Sequence, residues 1–389
     1  MLMDDKLTKP IYLDYNATTP VASEVVDAIE PFLREHFGNP SSTHVLGRHA
    51  REAVEAARAR VAALIAAAAD EIVFTGCATE ANNLAIRGVA RALRGSKGHL
   101  VTSAIEHPAV TQPCLLAREA GWEVTVVPVD GDGLVDPAAV ARALRPDTAL
   151  VSIMHANNEV GTLQPIAEIA ALTRARGILL HSDAAQSPAK LPLDVQTLGV
   201  DLLTLAGHKF YAPKGVGALY VRAGTPIAPV LVGADHERGL RPGTENVPGI
   251  VGIGAAAQLA AAKEPAGDQL RHLRDRLHAR LQAGVPDLAL NGHPRQRLPN
   301  TLNVSFPGVS GRALLQAVEA EVAASVGSAC HAEGDDVSGV LAAMGLTSSR
   351  ARGAVRLSVG LPTTEADVDQ AAAALIAAWR FLTTHRPSG

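Results

Sequence analysis

Cysteine is scarce in this chain: three residues, Cys77, Cys114 and Cys330, among 389. An odd number with no C-x-x-C pair excludes a disulfide framework, leaves no cysteine zinc site, and points to reduced thiols in a cytoplasm. Long apolar runs are also missing, so no segment reads as a membrane span. The start, MLMDDKLTKP, is acidic and lacks an apolar core, which argues against a secretory signal. Basic runs are absent too. Lys and Arg total 35 against 39 Asp and Glu, a formal charge of -4, so no surface neutralises a row of phosphates and direct nucleic-acid binding is not expected. What is present is apolar residue: 47% of the chain, enough to fill the cores of a large and a smaller domain.

That apolar content is arranged as short strand-like runs alternating with Ala-rich helical runs, the pattern of a mostly parallel sheet covered by helices. EIVFT (71–75) leads into the helical TEANNLAIRGVARALR, and HLVTSAIEH (99–107) into a helix near VTQPCLLAREAG. EVTVVPV, ALVSIMHA and GILLHSDA follow as strands, separated by DPAAVARALRP and IAEIAALTRARG as helices. Near residue 250 the character changes to long Ala-rich helices, then TLNVSFPG, a helix at GRALLQAVEA and a closing strand near AVRLSVG. We read a large α/β domain over 15–255 and a smaller one made of 1–14 and 256–389.

Ligands of such sheets gather beyond the strand ends. The stretch LTLAGHKFYAPKGVGALYV (203–221) places Lys209 where an apolar strand gives out, and a lysine buried there needs a partner or a task. Asp183, in HSDAAQ, ends the preceding strand 26 residues earlier. Two neighbouring strand ends would bring an acid and an amine to one rim. One reading is a plain Asp–Lys salt bridge. The other is the pair of handles a protein needs on pyridoxal phosphate: an amine for the aldehyde and a carboxylate for the ring nitrogen, with desolvation freeing the amine. The turn in EIVFTGCATEANN leaves the amides of Ala78 and Thr79 at a helix start, either an anion cradle or simply an N-cap.

Ten blocks then recur in the order found in cysteine desulfurases: LDYNATTP, FGNPSSTH, ATEANN, IEHPAV, MHANNEVGT, HSDAAQ, GHKFYAPKGVGALY, ERGLRPGTEN, GSAC and VRLSVGLPTTE. The chain resembles that family over nearly its whole length, and selenocysteine lyases in RPGTEN and ASVGSACH. The resemblance implies a pyridoxal-phosphate-dependent transferase of the type I, aspartate-aminotransferase-like fold, with a mostly parallel seven-stranded sheet in the large domain, working as a homodimer whose active site lies at the subunit interface. It makes Lys209 the Schiff-base lysine, Asp183 the partner of the ring nitrogen, Gln186 and Asn157 the contacts of the ring hydroxyl, and His107 the stacked, proton-moving imidazole. Ala78, Thr79 and His208 would hold the phosphate, with Thr244 supplied by the other subunit. Arg356, with Asn157, would bind the substrate carboxylate, a role suited to a planar fork.

By the same resemblance Cys330 attacks the sulfur of L-cysteine, leaving L-alanine and a persulfide for an acceptor protein that serves Fe-S cluster assembly or thio-modification. His331 is the neighbour placed to favour its thiolate. Three other activities stay open at this point: a selenocysteine lyase, which would release selenium without Cys330; an aminotransferase, which would keep Lys209, Asp183 and Arg356 but have no use for the thiol; and a non-catalytic sulfur-carrier scaffold. Two positions depart from the family pattern. Ala206 stands where a phosphate-binding hydroxyl is usual, and Gly76-Cys77 replaces Ser-Gly in the phosphate loop, where we read Cys77 as a packing residue.

Overall fold

A computed structural model describes residues 9–262, 266–327 and 338–385. The chain opens with β1 (Ile11–Tyr12), and then lays down seven strands of one sheet: β2 (Ile72–Thr75), β3 (His99–Ser103), β4 (Glu123–Val127), β5 (Thr148–Ser152), β6 (Leu179–Asp183), β7 (Leu202–Ala206) and β8 (Gly217–Val221). Their order is β2-β8-β7-β6-β5-β3-β4, and only β8 runs against the others. The central strands are apolar on both sides, as strands buried under two helical layers must be. Successive residues divide between the two cores: Leu100, Leu150 and Leu202 pack with the helix Ala78–Ala92, while Val101, Val151 and Leu203 pack on the opposite face. The expected seven-stranded, mostly parallel sheet is what the chain builds.

A second sheet follows: β9 (Ala289–Asn291), β10 (Thr301–Ser305) and β12 (Ala354–Ser358) in antiparallel order β12-β10-β9, with β11 (Val322–Ala323) pairing β1 in parallel. Its core receives Leu270, Leu273, Leu277 and Leu281, a stripe at helical spacing along Ala266–Gly284. Leu13 joins this core, so the first described strand belongs here rather than to the large sheet. The expected boundary at 255 falls inside the helix Val247–Ala262, whose Ala256 and Ala257 are buried in the large core. This helix is apolar all round because it lies against two others, Ser23–Arg34 and Val45–Leu64. Those two helices escaped the sequence reading.

Candidate active site

Parallel strands that end on one line leave their loops on one rim, and there the chain encloses a cavity of about 970 Å³. Its wall takes residues from the ends of β2, β3, β5, β6 and β7, from the segment after β1, and from β12. Lys209, Asp183, Gln186, His107, His208, Ala78, Thr79 and Arg356 all line it. Asp183 ends β6 and Lys209 follows β7, its parallel neighbour, as the spacing of their motifs suggested.

Each group is held for a reason. Asp183 is 6% exposed, and its two carboxylate oxygens accept from Asn82 Nδ2 at 2.7 Å and from the Ala185 N–H at 2.9 Å. Lys209 Nζ donates to the backbone carbonyls of Asn16 at 2.5 Å and Ala17 at 2.9 Å. Burial and, after it, the Arg356 guanidinium bring this amine down to about 8, against the opposing pull of Asp14 and Asp183. No ion pair between Lys209 and Asp183 forms among the described residues, so the salt-bridge reading is set aside. His107 caps the helix Pro108–Glu119, its Nδ1 accepting the Ala109 N–H at 3.0 Å. That bond places the proton of the neutral ring on Nε2, and burial keeps the imidazole below its usual pKa.

The helix Ala78–Ala92 begins without a side-chain cap, although Cys77, Ala78 and Thr79 face the cavity. Free N–H groups at the head of a 15-residue helix form an anion site. Gly217 on β8 permits it: a Cβ there would sit 2.7 Å from the Cys77 carbonyl carbon and 2.9 Å from the Ala78 nitrogen. His208 stands opposite, bonded through Nδ1 to Thr18 Oγ1, and burial together with Lys209, Lys214 and Lys190 lowers it to about 4. It therefore meets an anion as a neutral N–H donor, while the anion's own charge would draw it toward protonation. An amine of lowered pKa, a buried carboxylate and an uncapped helix end around one cavity fit pyridoxal phosphate.

Arg356, 4% exposed on β12, donates from Nη2 to Asp14 Oδ1 at 2.7 Å and from Nη1 to the Asn158 carbonyl at 3.1 Å. Three of its five N–H groups remain, and its buried Nε has no partner among the described residues.

Two expectations, those for Asn157 and Cys77, meet a different structure. Asn157 does not line the cavity: its Oδ1 accepts the Glu159 and Val160 N–H groups and its Nδ2 donates to the Ile105 carbonyl, so its polar atoms are spent on shaping the loop. Thr244, expected to serve the other subunit, is exposed and stands apart from this cavity. Cys77, in extended backbone at the helix cap, is exposed and lines the cavity instead of packing. Cys330 and His331 lie outside the described residues.

Other residues of the site went unread. Asn16 and Asp14 sit in LDYNATTP, a block noted without roles for its members. Glu106 precedes His107 and also lines the cavity. Its Oε1 accepts from Ser103 Oγ at 2.5 Å and from the Met154 N–H at 2.9 Å, while Oε2 has no partner among the described residues. Burial raises this acid to about 8. Asn82 Oδ1 is likewise unpartnered at the wall. The signal for Glu106 was a polar residue at the end of an apolar run beside a residue already singled out; Asn82, a turn into the helix that starts at Ala78, carried none.

Among the described residues no cluster of three or more His, Cys, Asp or Glu could hold a metal ion, and no helix is long and apolar enough to cross a membrane.

The aminotransferase class-V family profile matches residues 11–371. The chain is 46% identical over 365 residues to a cysteine desulfurase IscS of Dictyoglomus turgidum, covering 93% of each chain. Among solved structures it is similar to a NifS-like protein, with a TM-score of 0.89 and 37% identity over 96% of this chain and all of that one. It is also similar to SspA in complex with cysteine, with a TM-score of 0.80 and 37% identity over 90% of this chain and 98% of the other. A profile that spans both sheets, and a relative matched almost end to end, leave one assignment: this chain belongs to the cysteine desulfurase family of the class-V aminotransferases.

Proposed function

We propose that the protein is a pyridoxal-phosphate-dependent cysteine desulfurase, which takes the sulfur of L-cysteine onto Cys330 and releases L-alanine. The observation that carries this is the convergence of a Lys209 amine lowered to about 8, the Asp183 carboxylate and the uncapped helix at Ala78 on one cavity. A complex with cysteine in a relative of the same architecture favours cysteine over other amino acids as substrate.

Lys209 would hold the cofactor covalently, Asp183 its ring nitrogen, Gln186 its ring hydroxyl, and Ala78, Thr79 and His208 its phosphate. Bound there, pyridoxal phosphate supplies a sink for the electrons released at the substrate's α-carbon. Arg356, fixed by Asp14, takes the substrate carboxylate through its remaining N–H groups. Lys209 can collect the α-proton once it is free as an amine, and a value near 8 leaves a usable neutral fraction at physiological pH. His107, with its proton on Nε2, serves first as a donor to a group over the cavity. The Cys330 thiolate then attacks the substrate sulfur: an S–S bond forms, the C–S bond breaks, and its electron pair stays with the carbon skeleton, which gains protons to become alanine.

The working unit we propose is a homodimer. Leu33 and Val45, on the two helices that escaped the sequence reading, and Phe37, in the loop between them, are 65%, 66% and 75% exposed, an apolar surface suited to a second copy of this chain. Thr244, exposed and away from its own cavity, would reach the partner's phosphate site. A division into a large and a smaller domain, drawn past the helix Val247–Ala262 rather than at 255, a cytoplasmic location and delivery of the persulfide to an acceptor protein complete the proposal.

The direct test incubates the purified protein with pyridoxal phosphate and L-cysteine, measures alanine, and digests borohydride-reduced protein for mass spectrometry. Alanine release, a persulfide on Cys330 and a cofactor adduct on Lys209 are expected, with the first two lost in Cys330→Ala. Undiminished alanine release by that variant would remove Cys330 as the sulfur acceptor, and selenide release from selenocysteine alone would make the protein a lyase.

A further inference from the structure

Lys190 follows Gln186 by four residues in the turns after β6. It is 7% exposed, yet its nitrogen has one hydrogen-bond partner among the described residues, Gln186 Oε1 at 3.0 Å. A buried amine with one partner is costly, so its position calls for an account. Gln186 is buried in the cavity wall, and its other end donates from Nε2 to the Asn16 carbonyl at 3.0 Å. That same carbonyl receives Lys209 Nζ at 2.5 Å. The two lysines are thus the ends of one hydrogen-bonded line running through an amide and a backbone carbonyl.

The line has a direction. The Asn16 carbonyl can only accept, so the NH2 end of Gln186 faces it and the oxygen is left for Lys190, whose amine, lowered by burial to about 7, can donate an N–H to it whether charged or neutral. We infer that Lys190 is a positioning residue: by occupying Gln186 Oε1 it fixes that amide with its donors toward the Asn16 carbonyl and the cavity, and so sets where the Lys209 amine rests. Without it Gln186 Oε1 is left buried with no donor, the amide loosens, and the Asn16 carbonyl is left to Lys209 alone. The charged groups that bear on this line are Lys209 and Arg356 from the cavity side, with Asp14 and Asp183 acting on Lys209 in turn.

The inference rests on Lys209 as the cofactor-bearing lysine, and its test keeps the two apart. Wild type, Lys190→Met, Gln186→Leu and the double variant are purified with bound cofactor. For each, the pH midpoint of the visible absorption is titrated and the borohydride adduct is mapped. Lys190→Met is expected to raise the midpoint by about 0.5–1 unit, the size of one altered hydrogen bond, because a loosened Gln186 no longer shares the Asn16 carbonyl with Lys209. Lys190→Arg, which keeps a donor, should recover most of the shift, and in the Gln186→Leu background Lys190→Met should add nothing. Equal shifts in both backgrounds would make Lys190 a distant charge acting through space and overturn the inference, as would no shift at all. If Lys190→Met does not fold, Lys190→Gln is read by the same criteria. A wild type with neither visible band nor adduct on Lys209 overturns the cofactor reading itself, and the inference with it.

Discussion

Inside the large sheet and at its rim, the same strands carry polar side chains in opposite conditions. In the interior His99 is fully buried between Thr148 Oγ1 and Thr125 Oγ1, each at 2.8 Å, and His181 lies between Ser152 Oγ at 2.8 Å and Thr204 Oγ1 at 3.1 Å. Burial keeps both imidazoles neutral, and every ring nitrogen has a partner. At the rim Asn82 Oδ1 and Glu106 Oε2 are buried without one, and the helix at Ala78 has no cap. Native chains satisfy nearly all buried polar groups, and open ones occur away from the rim as well, Thr102 Oγ1 and His278 Nε2 among them. What marks the site is that several open groups and an uncapped helix face one cavity.

That contrast can be broken in order of effect. Lys209→Ala should abolish the visible absorption and the reduced adduct entirely while leaving the melting temperature of cofactor-free protein nearly unchanged, since the amine contributes chemistry rather than packing. Arg356→Ala should lower kcat/KM for cysteine by about 100-fold or more, because it removes a charged fork and orphans Asp14; steady-state kinetics measures the first and thermal melting the second. In the interior, His99→Leu should cost about 2–3 kcal/mol of stability in urea unfolding by stranding two hydroxyls, with cofactor affinity changed less than about 3-fold, as distant sites act independently.

Glu106 gives a pH test whose sign follows from its raised pKa. Between the ordinary carboxyl value and about 8 the folded protein holds a proton that the unfolded chain releases, so this group lowers stability as pH rises through that window. Glu106→Gln removes the cost. The variant should melt above wild type at about pH 9, by about 1–2 kcal/mol, with the gap closing toward about pH 5. The smallest effect is expected from Ala206→Ser, which returns a hydroxyl to the cavity wall: cofactor affinity should tighten by about 3–5-fold, or about 1 kcal/mol, in an equilibrium titration.

Much of this was legible in the residues. Apolar runs of five with polar ends read as buried parallel strands because both faces of the sheet are covered, and the ends themselves named Asp183 and Lys209. Helices Ser23–Arg34 and Val45–Leu64 were not seen although Ser23–Arg34 is strongly amphipathic, because they precede the strand-and-helix alternation and carry no residue of the chemistry. Asn157 was misplaced for another reason. An Asn beside a site serves a ligand or its own loop equally well, and only the geometry showed its side chain bonded to the backbone.

The order of motifs along the chain, the alternation that makes a parallel sheet, and the amine and acid at two successive strand ends are properties of sequence, because they depend on local periodicity and on short spacings. The meeting of Asp14 with Arg356 across 342 positions, the Asn16 carbonyl that receives Lys209, and the desolvation that brings that amine to about 8 belong to the folded chain alone. A hydrogen bond or a lost hydration shell depends on distance in space, and separation along the chain does not encode it.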